Sequence, residues 1–261
     1  MLKKRLIPVL YIKNGFIVRS EKFEEFKIIG NVVNEVRRYN QWDIDELVYV
    51  DISRNKNYDS GRDDHKIGRV NSIEDVLEVV SKECFMPLTF GGGVRDLDTI
   101  KKYLKNGADK VILNTMLHTN PAAVKEAVQI FGSQAIVAGV DYRIINNQIC
   151  FFVENGTKKI EYTLGQISEY ISKLGCGEVF LTSIDRDGAG EGYDLKTIEE
   201  VVNQFLIPVV ACGGALQIFD FQEVAEIEAI SGIAAGNMFH FTENIYPRSK
   251  KKLKNNNSNF R

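Results

Sequence analysis

"MPLTFGGGV", residues 86–94, is a short apolar run that breaks into three glycines, and the chain repeats it as "IPVVACGGA" at residues 207–215. Each copy carries a proline at its start and ends where a missing Cβ lets the backbone approach a neighbour or a ligand. The echo continues on both sides. "DELVYVDIS" (45–53) answers "GEVFLTSID" (177–185), and "ADKVILNTM" (108–116) answers "EAISGIAAGNM" (228–238). In front of them, "RLIPVLYIKNG" (5–15) has the shape of "AIVAGVDYRI" (135–144), an apolar run with a polar residue at its exit. Matched segments in one order at similar spacing describe two half-molecules. Tyr11 and Asp141 then hold equivalent positions, a phenol in one half and a carboxylate in the other.

The short β-branched runs predict eight strands: Leu6–Tyr11, Leu47–Ile52, Pro87–Phe90, Lys110–Leu113, Ala135–Asp141, Val179–Ile184, Pro208–Ala211 and Ala229–Ala234. Between them lie helical patterns such as "SIEDVLEVVSKE", "DLDTIKKYLKNG", "NPAAVKEAVQIFG", "LGQISEYISKLG" and "DLKTIEEVVNQF". Ser72, Asp96, Asn120 and Asp194 stand where helix N-caps belong, and Gly107 and Gly175 where helices stop. This alternation predicts an α/β fold, a (β/α)8 TIM barrel built from two fused half-barrels. A doubly wound sheet is the alternative, but no GxGxxG follows the first strand. One barrel domain is expected over residues 1–247. The basic, Asn-rich end "RSKKKLKNNNSNFR" (248–261) is expected to be a disordered tail.

Composition narrows the function. The 261 residues are 44% hydrophobic and 26% charged with a net charge of -2, which makes no case for nucleic acid or an anionic membrane as partner. The apolar run Leu6–Ile12 is broken by Pro8 and stopped by Lys13, too short for a signal peptide. No stretch approaches a membrane span, and a cytoplasmic location is expected. Cys84, Cys150, Cys176 and Cys212 never form CxxC, and His65, His118 and His240 are scattered. No metal site and no cofactor is expected.

In a barrel of this kind chemistry belongs to the C-terminal ends of the strands. Gly92 and Gly93 with Asn114 and Thr115 would form one anion cradle, and Gly213 and Gly214 with Gly236 and Asn237 the other. Two cradles at symmetric positions predict a long substrate with an anionic group at each end. Asp141 and Tyr11 lie between them as candidate catalytic groups, Asp141 able to serve as acid or base. Lys13, Asp51, Asp185 and Asp187 are expected around these groups rather than on the reacting atoms. At the opposite face Arg5, Glu46, Lys110 and Glu178 mark strand starts. Two cations and two anions there would compensate one another as a ring, where packed apolar side chains would be usual.

"KRLIPVLYIKNG", "DELVYVDIS", "FGGGVRD", "GADKVILNT", "FGSQAIVAGVD", "GEVFLTSIDRDG", "GYD" and "FHF" together resemble the cyclase subunit of imidazole glycerol phosphate synthase, from about Lys3 to Phe241. The resemblance implies a barrel whose bottom face docks a glutaminase subunit in a heterodimer. Ammonia would cross a gate matched by Arg5, Glu46, Lys110 and Glu178 and attack a bisphosphorylated ribulosyl substrate. The two cradles would match its phosphate sites, and Asp141 one of its two catalytic aspartates. The other aspartate falls on Tyr11, Gly236-Asn237 replaces the usual Ala-Ser, and "SRNKNYDSGRDDHKIGRVNS" (53–72) is an insertion. A phenol of pKa ~10 is a poor general base at neutral pH.

That departure, with "KFEEFKIIGN" (22–31), resembles the glycosyl amidation-associated proteins of surface-polysaccharide clusters, which implies a phosphorylated or nucleotide-sugar acceptor. On Tyr11 the sequence favours sugar amidation over cyclisation in histidine biosynthesis. A non-catalytic ammonia conduit that activates the glutaminase is the alternative of another class. The sister isomerase of the histidine pathway shares the half-barrel repeat but needs no gate. No cysteine here sits in a glutaminase-like elbow, so glutamine hydrolysis would belong to another chain.

Overall fold

The β-branched runs become the staves of a closed barrel. The structure, a computed structural model, describes residues 3–53, 72–256 and 259–261. Its staves are β1 (Arg5–Lys13), β2 (Leu47–Asp51), β3 (Leu88–Gly91), β4 (Lys110–Leu113), β5 (Ile136–Ile145), β6 (Glu178–Ser183), β7 (Val209–Cys212) and β8 (Ile230–Ala235). Each pairs in parallel with the next, and β8 returns to β1 at Arg5↔Gly232, so the sheet closes. This is the expected (β/α)8 barrel, with helices between the staves.

Local chemistry sets the helix starts. Ser72, Asp96, Asn120 and Asp194 each accept a hydrogen bond from the backbone N–H three residues on, which satisfies a donor the helix itself leaves unpaired. Gly175 ends the helix Leu164–Leu174 in the left-handed conformation.

Strand periodicity divides the core into two layers. Leu6, Leu10, Tyr49, Phe90, Val111 and Leu181 face outward and pack against the helices. Ile7, Val9, Val48, Ile112, Val137, Phe180 and Val210 fill the barrel itself. Full burial of each such side chain stabilises by about 1.5–3 kcal/mol.

The structure differs from the sequence expectation in three places. β1 runs past Tyr11 to Lys13 and turns back as the strand Phe16–Glu21, followed by Glu25–Asn31. β5 runs past Asp141 to Ile145 and turns back as Gln148–Val153, followed by Lys158–Ile160. Both turns have two residues at positive φ, Asn14-Gly15 and Asn146-Asn147, as a twisted two-residue hairpin requires. The two excursions keep the half-barrel symmetry: Tyr11 pairs with Val18 and Asp141 with Phe152.

The third difference is the tail. Instead of a disordered end after 247, Ile245–Asn256 is a helix with Ser249 and Leu253 buried, and Phe260 is buried beyond it. Its lysines mislead because Lys251, Lys252 and Lys254 are exposed while Ile245, Tyr246, Ser249 and Leu253 are buried, with Lys250 half-buried beside Tyr246. Most of the insertion at 53–72, with His65, lies outside the described residues. Among the described residues no helix is long and apolar enough to cross a membrane.

Candidate active site and the ion-pair ring

Every second residue of a stave points into the barrel, and on three staves the inward row reads as charge, apolar filling, polar group. On β1 the row is Arg5, Ile7, Val9, Tyr11; on β4 and its exit it is Lys110, Ile112, Asn114; on β6 it is Glu178, Phe180, Thr182. The four charged starts meet at the bottom. Arg5 pairs with Glu46 and with Glu178, and Lys110 Nζ lies 3.0 Å from Glu46 and 2.8 Å from Glu178. The result is a closed ring of alternating sign. Thr89, not foreseen from the sequence, donates to Glu46 Oε1 at 2.6 Å.

Burial alone would push the Glu46 carboxyl up. Arg5, Lys110 and the Thr89 hydroxyl outweigh it and hold the group below its ordinary value. For Arg5 the order of effects is the same and the sign opposite: burial lowers, the two glutamates raise, and the guanidinium ends higher.

At the other end the staves open into a cavity of about 700 Å³. Its wall includes Tyr11, Asp141, Gly92, Gly93, Asn114, Thr115 and Asp51, all named from the sequence, with Thr182, Arg95, Phe23 and Phe26 in addition. Gly92 is in the left-handed region at φ 93°, and a Cβ there would lie 1.9 Å from the Asp51 carbonyl oxygen. Only glycine brings the β3 exit so close to β2. Gly93, also left-handed, faces open space.

Asp141 is a buried carboxylate on the wall of this cavity. Loss of water pushes its carboxyl up to about 7; a hydrogen bond from Thr182 opposes the shift and the Asp187 charge adds to it. Asn114 Nδ2 sits 3.3 Å from Asp141 Oδ2 and 3.1 Å from the Gly139 carbonyl oxygen, so it orients the carboxylate from the side. Register places Thr182 directly beside Asp141. Thr182 was legible only as a strand residue, because its partner lies on the neighbouring stave.

Tyr11 is 6% exposed, and burial first, then Cys212, Asp187 and Asp141, push its phenol well above the ordinary value. At neutral pH it is a donor and no base. Asp187, raised to about 6 chiefly by burial, accepts from the Ser20 hydroxyl at 2.5 Å. Asp185 accepts from the Ile144 N–H and holds the β5 excursion, while Lys13 lies 4.2 Å from the centre of the Phe26 ring.

The two cradles are unequal. Gly92, Gly93, Asn114 and Thr115 line the cavity, whereas Gly213, Gly214, Gly236 and Asn237 are not on its described wall. Asn237 donates to the Ser20 carbonyl at 2.7 Å, and Gly192 N–H donates to the Gly214 carbonyl. A Cβ at Gly236 would lie 3.7 Å from Tyr11 Cε2.

A barrel with a titratable carboxylate in a cavity at its C-terminal mouth belongs to the class of (β/α)8 enzymes. The family model described as "Histidine biosynthesis protein" matches residues 5–244. Imidazole glycerol phosphate synthase subunit HisF of Natranaerobius thermophilus is 37% identical over 255 residues, covering 98% of this chain and 96% of that protein. Its namesake from Sulfurisphaera tokodaii is 38% identical over 243 residues, 92% of this chain and 91% of its own. That from Hydrogenobaculum is 34% identical across both whole chains, 262 aligned residues. The chain belongs to the HisF family of histidine-biosynthesis proteins, and is an enzyme subunit of that type.

Proposed function

We propose that this chain is the cyclase subunit of an imidazole glycerol phosphate synthase, supplied with ammonia through the ring of ion pairs by a separate glutaminase. The observation that carries it is the single inward column: the ring at the bottom, apolar filling above it, and Asp141 at the cavity floor. Glu178 and Thr182 are four residues apart on β6, about 13 Å at the usual strand rise. Neutral ammonia can cross such a filling, whereas ammonium would have to shed its hydration without a partner. Kinship with subunits named HisF supports the same reading.

Asp141, near pH 7 in both protonation states, would take the proton from attacking ammonia and return it as the ring closes. Tyr11 would donate to charge developing on the substrate. Gly92, Gly93, Asn114 and Thr115 would hold one phosphate. The cradle of Gly213, Gly214, Gly236 and Asn237 would take the other after Asn237 leaves Ser20.

The glutaminase would seat on the bottom face. Phe85 and Leu206 occupy equivalent positions before β3 and β7 there, and are 87% and 97% exposed. Large apolar side chains offered in pairs to solvent fit an interface core.

Amidation of an activated sugar, favoured when Tyr11 is weighed on the sequence alone, becomes the second reading. Tyr11 still supports it, as does the closure of Asn237 onto Ser20, but the named relatives are synthase subunits. Turnover of the bisphosphorylated ribulosyl-formimino intermediate with excess ammonium salt decides between them. Cyclisation by the purified chain supports the proposal; a folded protein with no turnover overturns it.

A further inference from the structure

We infer that Tyr246 and Lys250, on the helix Ile245–Asn256, are positioning residues for the ion-pair ring, acting on the strand ends that carry Arg5 and Glu46. The inference rests on the gate reading above for its consequence, and on geometry alone for the clamp itself. Both residues lie just beyond the region matched by the family model.

The β1–β2 ladder registers from Val9↔Val48 upward, above the ring. Below it, β1 pairs with β8 through Arg5–Pro8, and Leu47 N–H donates to the Pro87 carbonyl. The stretch that carries Arg5 beside Glu46 is therefore joined by side chains. Asp45 Oδ2 accepts from Leu6 N–H at 3.0 Å. The Tyr246 hydroxyl accepts from Asp45 N–H at 2.9 Å and donates to the Leu6 carbonyl at 3.0 Å. Lys250 Nζ holds the other Asp45 oxygen at 2.6 Å. One phenol oxygen and one carboxylate do the work of missing ladder bonds.

Alternation gives this clamp its consequence. Leu6 and Asp45 are the immediate neighbours of Arg5 and Glu46: outward Leu6 alternates with inward Arg5 on β1, and Asp45, in the bend just before β2, is one peptide from Glu46. Whatever fixes Leu6 to Asp45 on the outside fixes Arg5 to Glu46 on the inside. The next residue out is held as well: Lys4 N–H donates to the Asn259 carbonyl at 2.7 Å, and Arg261 N–H to the Lys4 carbonyl at 3.1 Å. Hydrogen bonds weaken steeply with misalignment, so a small slip between the two strand ends would open the ring. A phenylalanine at 246 would fill the same space and keep the ring contact with Phe239, 5.6 Å between centroids, without the two bonds.

The test uses the full chain with Tyr246→Phe and Lys250→Met, and Tyr170→Phe as a control that loses a tyrosine hydrogen bond far from the ring. The first readout is proton exchange at the Arg5 guanidinium by NMR, which needs no substrate. The second is the ratio of glutamine-driven to ammonium-driven turnover with the glutaminase present. Tyr246→Phe and Lys250→Met should speed the exchange and lower the ratio by roughly fivefold, the effect of about one hydrogen bond, while the control changes neither. Arg5 exchange unchanged in both variants overturns the clamp. Faster exchange with an unchanged ratio overturns its role in delivery. If the unaltered chain turns over with neither nitrogen source, the proposed function fails, and the exchange readout still decides the clamp.

Discussion

Arg5 and Tyr11 stand on the same inward row of β1, one in the ion-pair ring and the other on the cavity wall. Six residues of strand, about 20 Å, separate them. The two faces of the barrel are thus carried on the same staves but lie far apart, and changes at each end have separable consequences.

At the cavity end, Asp141 should trade stability for activity. Its carboxyl titrates at about 7 when folded, against an ordinary 3.8. The folded state therefore binds more protons between those values, and Asp141 weakens the fold progressively as pH rises through that window. Asp141→Asn should raise the melting temperature at pH 8, leave it near wild type at pH 4, and abolish turnover. A melting temperature unaffected at pH 8 would show that Asp141 is well solvated.

Glu46 carries the opposite sign. Held below its ordinary value by Arg5 and Lys110, it stabilises the fold above that value and loses this as pH falls through its folded one. Lys110→Met leaves two buried glutamates with one cation. The expected loss is about 3–5 kcal/mol by chemical denaturation. Glutamine-driven turnover should fall with ammonium-driven turnover spared, and equal losses in both would remove the gate from the mechanism.

Tyr11→Phe preserves the ring that packs edge-on against Phe23, and removes only the hydroxyl. A phenol that donates in the transition state should cost about 10–100-fold in kcat with little change in KM. Unchanged kcat would reduce Tyr11 to packing.

Neighbouring glycines should respond very differently. Gly92→Ala drives a Cβ into the Asp51 carbonyl, and the variant should fail to fold or be severely destabilised. Gly93→Ala meets nothing within 4 Å. It should fold with a loss of about 1 kcal/mol and bind the phosphorylated substrate more weakly, as titration calorimetry would read.

On the bottom face, Phe85→Glu or Leu206→Glu should weaken glutaminase binding without altering ammonium-driven turnover. Pull-down and kinetics on the same preparations check both halves. Binding at full strength in both variants would place the partner elsewhere.

The staves, their order, the half-barrel repeat and the four ring charges were all legible in the chain. Each is written as local periodicity: alternation puts Arg5 and Tyr11 on one row whatever surrounds them. The two-residue hairpins after Tyr11 and Asp141 escaped because a strand exit and a hairpin turn share the same Asn-rich signal. The terminal helix escaped because lysine and asparagine dominate its composition, while four buried side chains decide its fate. Tertiary structure alone decided which groups meet across staves: Thr182 and Asn114 on Asp141, Thr89 on Glu46, Tyr246 between Leu6 and Asp45. Those contacts depend on the register in which the barrel closes, and register is a property of the whole sheet rather than of any one segment.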